Sequence, residues 1–224
     1  MSVAVLINRR ARRGSQKLAQ LASRILPRAR VALTSSLEEC RAWLKELRAD
    51  PPQLLLAGGG DGTTATLLNE LAEGQMPFPL IGVLPMGTGN AWAHVTGAPK
   101  AEKALERIAA LNGKRPPMRT FGLVRVNGGT LAPFAGTGFD ADLVNDYKAQ
   151  LQLYPPGPLR EAHTGLRGYL GALFTRTIPR HVFGAGPAHV KVTNLGGAAL
   201  TLDARGNVVK LVGGETGAVL FEGL

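Results

Sequence analysis

The residues best suited to chemistry lie in one glycine-rich segment, Leu54-Leu-Leu-Ala-Gly-Gly-Gly-Asp-Gly-Thr-Thr64. Its apolar start predicts a buried strand, and a helix is predicted to follow the glycines. Glycines let the backbone approach a phosphate closely, and the first N–H groups of a helix favour an anion. The spacing matches neither the Walker pattern nor the dinucleotide fingerprint. The segment therefore predicts a site for a nucleotide phosphate.

Asp61 supplies the carboxylate of this segment. Two chemical roles suit it: general base toward an attacking hydroxyl, or direct or water-mediated ligand of a Mg²⁺ that neutralises a triphosphate. Both roles serve phosphoryl transfer. The structural alternative is a tight turn in which Asp61 caps the following helix. Four glycines in five positions exceed what such a turn requires, so we favour the chemical roles.

A second glycine-rich segment, Pro85-Met-Gly-Thr-Gly-Asn90, also follows a predicted strand and precedes a helix start. The residues it would present to a ligand are Gly87, Thr88, Gly89 and Asn90. Ligands of parallel α/β sheets bind at the carboxyl ends of the strands, so we expect both segments to face the same crevice. This combination is far more specific than either segment alone.

The elements that must position these segments alternate between strand and helix. Short apolar runs and helical spacing of apolar residues mark them. The predicted strands are 3–7, 31–33, 54–57 and 79–84, and the predicted helices are 18–26, 37–47, 63–71 and 101–111. Residues 1–118 are therefore predicted to form a parallel α/β nucleotide-binding lobe.

After Pro116-Pro117 the pattern changes. Residues 119–126 and 130–135 alternate around Asn127-Gly128-Gly129, which predicts a β-hairpin. A helical stretch over 140–180 and short strand-like runs over 188–221 follow. We predict that residues 119–224 form a second lobe that is β-rich and mainly antiparallel.

The net charge of the chain indicates which classes of partner it is expected to bind. The 224 residues carry 26 Lys+Arg against 16 Asp+Glu, a formal charge of +10, and residues 1–50 alone hold 11 basic and 4 acidic side chains. The densest basic cluster runs from Arg9 to Lys17. Aromatic residues that would stack on bases do not interleave with it, so nucleic acid is not expected. We favour phosphates or an anionic membrane surface as the partner of this basic cluster. The alternative is that the cluster has no partner and is simply solvated.

The cysteine count and the apolar runs indicate the compartment of the protein, and the histidine spacing argues against a zinc site. Cys40 is the single cysteine, which excludes an internal disulfide and fits a reducing compartment. No stretch approaches the roughly 18 apolar residues of a membrane span, and the first apolar run is too short for a signal peptide. We therefore expect a cytoplasmic protein. The four histidines lack the spacing of a zinc site.

Three segments together resemble the diacylglycerol kinase catalytic domain superfamily, the lipid kinases that include soluble bacterial diacylglycerol kinases and sphingosine and ceramide kinases. They are Gly58–Thr64, Pro85–Asn90 about two dozen residues later, and Gly136-Thr-Gly-Phe-Asp-Ala-Asp142. The resemblance covers residues 3–224. The first two segments also occur singly in NAD kinases, and their combination is specific.

The resemblance implies an N-terminal lobe that binds Mg²⁺ and ATP, a C-terminal lobe that binds the lipid, and catalysis between them. It implies that Asp61 is the catalytic and metal-binding residue. It places the acceptor lipid near Asp140 and Asp142, for which a capping pair at a helix start is the alternative. Arg167 is implied to be a nucleotide contact, and the alternative for this residue is a place on a solvated helix face. The implied nucleotide contacts are Asn8, Thr34, Gly58, Gly59, Gly60, Gly62, Thr63, Gly87, Thr88, Gly89, Asn90 and Arg167.

The chain departs from the family pattern in two places. Where the family has Asn-Pro, this chain has Asn8-Arg9 in an unusually basic loop. Family members continue past the equivalent of Leu224 with further strands and an Asp-Gly-Glu motif that supplies a carboxylate. Gly214-Glu215-Thr216 does not match that motif, so we expect the C-terminal lobe of this chain to be incomplete, or truncated.

The leading hypothesis is an ATP- and Mg²⁺-dependent lipid kinase that transfers the γ-phosphoryl group to a hydroxyl of a diacylglycerol or sphingoid lipid. Such a protein would visit an anionic membrane peripherally. An NAD kinase-like activity is the enzymatic alternative, because Asn69-Glu70 resembles a substrate-contacting pair of that family. A truncated, inactive homologue that binds nucleotide or acidic lipid is the non-enzymatic alternative. The sequence leaves the choice of lipid and the oligomeric state, including a homodimer, open.

Overall fold

A computed structural model of the chain describes residues 1–11, 15–87, 89–184, 189–203 and 205–223. These residues divide into two compact units, unit 1 over Met1–Phe134 and unit 2 over Ala135–Leu224. The hairpin that follows residue 118 lies within unit 1. The assignment of nucleotide binding to residues 1–118 and of lipid binding to residues 119–224 stays a prediction.

A four-stranded parallel sheet forms the centre of unit 1. Its strands are β1 (Val3–Asn8), β2 (Arg30–Thr34), β3 (Leu54–Gly59) and β4 (Leu80–Pro85). Their order across the sheet is β2-β1-β3-β4, and every pairing is parallel. All six residues of β3 are buried, as expected for a central strand with helices on both faces of its sheet.

Five helices connect and cover these strands. They are α1 (Ser15–Ile25), α2 (Leu37–Leu47), α3 (Asp61–Glu73), α4 (Ala91–Thr96) and α5 (Ala101–Ala110). The predicted parallel α/β architecture of this part of the chain is confirmed. The start predicted for α3 at Thr63 is wrong by two residues, because Gly60 is the N-cap and its carbonyl accepts the N–H groups of Thr63 and Thr64.

The core of unit 1 has two halves, one on each face of the sheet. Successive side chains of a strand point to opposite faces, so Leu6 packs with residues of α2 and α3, whereas Val5 and Ile7 pack with residues of α1 and α5. All three side chains are buried. Burial on both faces fixes the position of β1 and β3, and with them the position of the turns that follow.

A β-hairpin completes unit 1. Its strands, β5 (Val124–Val126) and β6 (Thr130–Ala132), pair antiparallel and are shorter than predicted. Asn127 and Gly128 both have positive φ angles, of 49° and 73°. Two such residues in succession are typical of the turns that match the twist of a hairpin. The hairpin predicted around Asn127 is therefore confirmed.

Unit 2 combines a helical stretch with short antiparallel strand pairs, and the predicted antiparallel pairing is confirmed. β7 pairs with β10, and β8 pairs with β9. Among the described residues, no helix has the length and apolar composition needed to cross a membrane. The elements are α6 (Phe139–Gln152), α7 (Pro158–Ala162), α8 (Leu166–Ala172), a π-helical turn (Leu173–Thr177), α9 (Ile178–Phe183), β7 (Val190–Thr193), β8 (Leu200–Leu202), β9 (Val208–Lys210) and β10 (Val219–Gly223).

We expect the thiol of Cys40 to be nearly unreactive in the folded protein. Burial of this side chain, which α2 contributes to the core, raises its pKa to about 11, and the nearby Glu70 carboxylate acts in the same direction. Because the thiolate is the reactive form, an aromatic disulfide reagent at pH 8 should label native protein roughly 100-fold more slowly than urea-unfolded protein. A Cys40→Ser variant is the blank, and equal rates in both states would contradict the burial of α2.

Candidate functional site

The two glycine turns lie side by side at the carboxyl edge of the sheet. β3 and β4 are neighbours in parallel register, with Gly59 beside Pro85 at their ends. The Met86 N–H donates a hydrogen bond of 2.8 Å to the Gly59 carbonyl, which continues the pairing into the turns. The structure thus brings together the two segments that the sequence predicted to face one crevice.

Close backbone packing joins the two turns and explains several of the glycines. A Cβ atom on Gly87 would lie 2.6 Å from the Cα of Gly60, and one on Gly60 would lie 3.3 Å from the Cα of Gly87. A Cβ on Gly59 would overlap the side chain of Thr63, and one on Gly58 would lie 2.9 Å from Ile7. The first requirement for glycine at these positions is therefore the packing of the protein against itself.

Asp61 connects the first turn to α4, the helix after the second turn. Its two carboxylate oxygens accept the backbone N–H groups of Ala91 at 3.1 Å and of Trp92 at 2.9 Å. A negative side chain at a helix N-terminus satisfies unpaired N–H groups and interacts favourably with the helix dipole. Asp61 therefore caps α4, not its own helix α3, whose N-cap is Gly60. Each oxygen retains a further lone pair for a ligand.

Asn90 closes the second turn on itself. Its side-chain oxygen accepts the Gly87 N–H at 2.8 Å, and its side-chain nitrogen donates to the Gly87 carbonyl at 2.7 Å. The residue has a left-handed backbone, with φ 48° and ψ 41°, a conformation that asparagine tolerates better than most residues. A Cβ on Gly89 would lie 3.5 Å from an Asp61 oxygen, an ordinary contact. The predicted site residue Thr88 lies outside the described residues.

Asn8 and Thr34 lie at the same edge of the sheet as the glycine turns, at the ends of β1 and β2, where they are register partners. The Asn8 side chain donates to the Thr63 hydroxyl at 3.0 Å and accepts the Arg10 N–H at 2.9 Å. Thr34 is buried, and its carbonyl accepts the Arg9 N–H at 2.8 Å. The predicted nucleotide contacts of unit 1 that the structure describes therefore share one edge.

The space around Gly62, at the N-terminus of α3, is open. A Cβ on this residue would meet no atom within 4 Å, and its φ angle is not one that requires glycine. Within the described part of the chain, the N–H groups of Asp61 and Gly62 donate to no acceptor. Free N–H groups at a helix start, beside a glycine with room around it, fit a phosphate group.

The described residues include no group of three or more His, Cys, Asp or Glu side chains placed to hold a metal ion. A Mg²⁺ at Asp61 would therefore take most of its oxygen ligands from bound phosphate and water, as Mg²⁺ usually does in nucleotide sites. The free lone pairs of the Asp61 carboxylate fit such an ion.

The predicted site residues Asp140, Asp142 and Arg167 belong to unit 2. Asp140 and Arg167 are exposed, in the first turns of α6 and α8. Asp142 is half-buried, and its carboxylate lies 2.9 Å from Nε2 of His181 and 3.9 Å from Nη1 of Arg180. Asp142 is therefore already paired, whereas Asp140 has its carboxylate in solvent.

Asp146 is a polar residue that sequence reasoning missed. It is buried one helical turn after Asp142, where it accepts the hydroxyl of Thr177 at 2.9 Å and pairs with Arg180. The spacing of four residues from Asp142 was the available signal, because residues four apart share a helix face. This network attaches α6 to the π-helical turn and α9.

Asn69 and Glu70, the pair that suggested an NAD kinase-like activity, make contacts within unit 1. The Asn69 side chain exchanges two hydrogen bonds of 2.7 Å with the backbone of Leu131 and so attaches the hairpin to α3. The Glu70 carboxylate lies 2.8 Å from Nε of Arg41 on α2. Both side chains are therefore engaged in contacts that hold unit 1 together.

Residues 2–120 match the model of the diacylglycerol kinase catalytic domain, and the chain belongs to that family. The match covers both glycine turns and all of the parallel sheet. The matched residues include the edge of the sheet described above.

Several known proteins are similar to part of this chain. The diacylglycerol kinase of Bacillus subtilis is 32% identical over 102 residues, which are 44% of this chain and 31% of that protein. A probable lipid kinase YegS-like of Pseudomonas fluorescens is 31% identical over 122 residues, which are 54% and 39%. The crystal structure of a diacylglycerol kinase from Bacillus anthracis aligns with a TM-score of 0.41 and 22% identity, over 49% of this chain and 42% of that one. The chain thus spans only about a third of the length of these two curated relatives.

We expect Asp61→Asn to destabilise unit 1 by about 1–3 kcal/mol, because an amide nitrogen would replace one of the two oxygens that accept N–H groups of α4. Urea unfolding followed by fluorescence measures this directly, since Trp92 lies in α4 and Trp43 in α2. The matched control is Glu73→Gln at the exposed end of α3, whose pairing with Arg41 at 3.7 Å should contribute under about 1 kcal/mol. Identical unfolding curves for Asp61→Asn and wild type would show that the carboxylate does not hold α4.

Proposed function

We propose that this chain carries the nucleotide-binding site of a lipid kinase that uses ATP and Mg²⁺ to phosphorylate a lipid hydroxyl. One observation carries the proposal: Gly62 leaves open space beside the free N–H groups at the start of α3. The chain belongs to the diacylglycerol kinase catalytic domain family, and we assign this open space to a nucleotide phosphate.

The residues of unit 1 would bind the phosphates through the backbone. The N–H groups of Asp61 and Gly62 donate to phosphate oxygens, and the positive end of the α3 dipole favours their charge. Asn8 orients Thr63 in the first turn of the helix. When bound, ATP supplies the phosphoryl group, and Mg²⁺ neutralises its negative charge.

Of the two roles that the sequence left open for Asp61, the metal ligand is the better supported. A general base takes up a proton, and a proton on Asp61 would weaken the two hydrogen bonds that hold the start of α4. A metal ligand keeps its negative charge and both of those bonds. Asp61 would therefore orient the cation while it couples the two glycine turns.

The proposed acceptor is the hydroxyl of a diacylglycerol or a sphingoid lipid. The names of the relatives, a diacylglycerol kinase and probable lipid kinases, support this class of substrate. Of the two predicted substrate contacts, Asp140 has an exposed side chain, whereas Asp142 is engaged with His181. Asp140 is thus the stronger candidate for a substrate contact.

We expect Gly62→Ala to weaken binding of Mg²⁺-ATP at least about tenfold without loss of stability. The added methyl group would occupy the proposed phosphate position, while alanine improves helix propensity by about 1 kcal/mol. Titration calorimetry measures the affinity, and thermal unfolding measures the stability. Gly129→Ala is the matched control. A Cβ on Gly129 also meets no atom within 4 Å, and this residue belongs to the hairpin, far from the two glycine turns in the sequence.

Two results would contradict this assignment of Gly62. One is ATP affinity that the Gly62→Ala substitution leaves unchanged. The other is an equal loss of affinity in the Gly129→Ala protein. Gly87→Ala serves as a structural reference, because its Cβ would meet the Gly60 backbone and should lower stability along with affinity.

We expect label from radioactive ATP, in the presence of Mg²⁺, to appear in a lipid when vesicles with diacylglycerol or a sphingoid base are offered alongside NAD. Label in NADP alone would support the NAD kinase-like alternative instead. Binding of ATP without transfer to any acceptor would support an inactive homologue, and absence of ATP binding would overturn the site. Loss of transfer in Asp61→Asn counts as catalytic only if its unfolding curve shows that the variant is folded at the assay temperature.

A further inference from the structure

The helical segment over 166–183 in unit 2 exposes a row of large apolar side chains at intervals of four residues. We call this row the apolar stripe. Isolated exposed apolar residues are ordinary, but a continuous row of them is a feature of surfaces that contact another apolar phase. Its members and their exposed fractions are Leu166 75%, Leu170 44%, Phe174 64%, Ile178 36% and Val182 63%.

The π-helical turn helps to keep the stripe on one side of the segment. In a regular α-helix of 3.6 residues per turn, a repeat of four residues drifts around the axis by about 40° at each step. The turn at Leu173–Thr177 has wider i→i+5 hydrogen bonding, which offsets part of that drift. A four-residue apolar repeat and a π-helical turn in its middle are therefore consistent with each other.

The opposite side of the same segment carries small residues that pack closely. Gly168, Ala172 and Thr177 are buried, and α6 lies against this segment. A Cβ on Gly168 would lie 2.7 Å from the ring of Tyr147 on α6, so there is no room for a larger residue. The segment cannot turn its large apolar side chains inward, and the stripe therefore stays on the outside.

The segment that carries the stripe is itself basic. Between Glu161 and Asp203 the sequence contains no acidic residue, whereas it contains Arg167, Arg176 and Lys191 in addition to Arg180. Arg180 is engaged with Asp146 and Lys191 with Glu222, but Arg167 is exposed at the start of the stripe. The head groups of an anionic bilayer complement the charge and the apolar row at once.

We propose that the apolar stripe is a membrane-docking surface that inserts into the interface of an anionic bilayer. Leu170 and Phe174 enter the boundary between head groups and acyl chains, and Arg167 contacts the phosphates of the head groups. The inference deepens the proposed function, on which it rests, because it names the surface by which a lipid kinase reaches a substrate that stays in the membrane.

The test is sedimentation with vesicles of phosphatidylcholine and phosphatidylglycerol, without ATP or diacylglycerol. We expect wild type to bind, and a Leu170→Ser, Phe174→Ser double variant to bind at least about tenfold more weakly. Val212→Ser is the matched control, because Val212 is 98% exposed in the same unit but outside the stripe. Vesicles of phosphatidylcholine alone should bind wild type more weakly if charge contributes.

A second measurement tests directly whether the stripe enters the membrane. A tryptophan introduced as Phe174→Trp should shift its emission to the blue when anionic vesicles are added, and brominated lipid should quench it. Equal vesicle binding by wild type and the double serine variant would overturn the inference. Failure of wild type to bind vesicles, together with dimers that the serine substitutions dissociate, would assign the stripe to a second copy of the chain.

The vesicle experiment and the phosphorylation experiment fail independently. Transfer of phosphate to a lipid dispersed in detergent, without any binding to vesicles, would overturn the docking surface and leave the proposed function standing. Binding to vesicles through the stripe, without binding of ATP, would overturn the proposed function and leave the docking surface standing.

Discussion

The coupling of two glycine turns through Asp61 is the interaction on which the candidate site depends. The carboxylate accepts N–H groups of Ala91 and Trp92, and the backbone of Gly60 packs against that of Gly87 directly beside it. Parallel pairing of β3 with β4 supplies the frame for both contacts, because it ends the two strands at the same level. Whatever binds at this edge meets a surface that is already assembled, which lowers the cost of ordering it on binding.

This coupling divides the glycines of the site into two kinds. Gly58, Gly59 and Gly87 lack side chains because the protein packs against itself at those positions, whereas Gly62 faces open space. A motif that looks uniform in the sequence thus combines glycines that the packing requires with one that the packing does not require.

In unit 2, buried polar contacts decide which surface faces outward. Asp146 receives hydrogen bonds from Thr177 and Arg180, and the close approach of Tyr147 to Gly168 leaves no room for bulk on that side. The Asp146 carboxylate is buried, and a buried carboxylate without its hydrogen-bond partners is costly, so this orientation of α6 against the 166–183 segment is preferred. The large apolar residues of that segment are exposed as a consequence.

Local pattern was enough to determine the order of strands and helices in unit 1, the hairpin at Asn127 and the two glycine segments, because apolar periodicity and turn residues act over a few neighbours. It also identified the family to which the chain belongs, while the catalytic and metal-binding roles predicted for Asp61 stay predictions. Only the tertiary structure decided that Asp61 caps α4, that Asn69 attaches the hairpin, and that Asp146 is buried with Thr177 and Arg180. These contacts join residues about 30 to 60 positions apart, and their partners are set by the packing of whole elements, which no local pattern encodes.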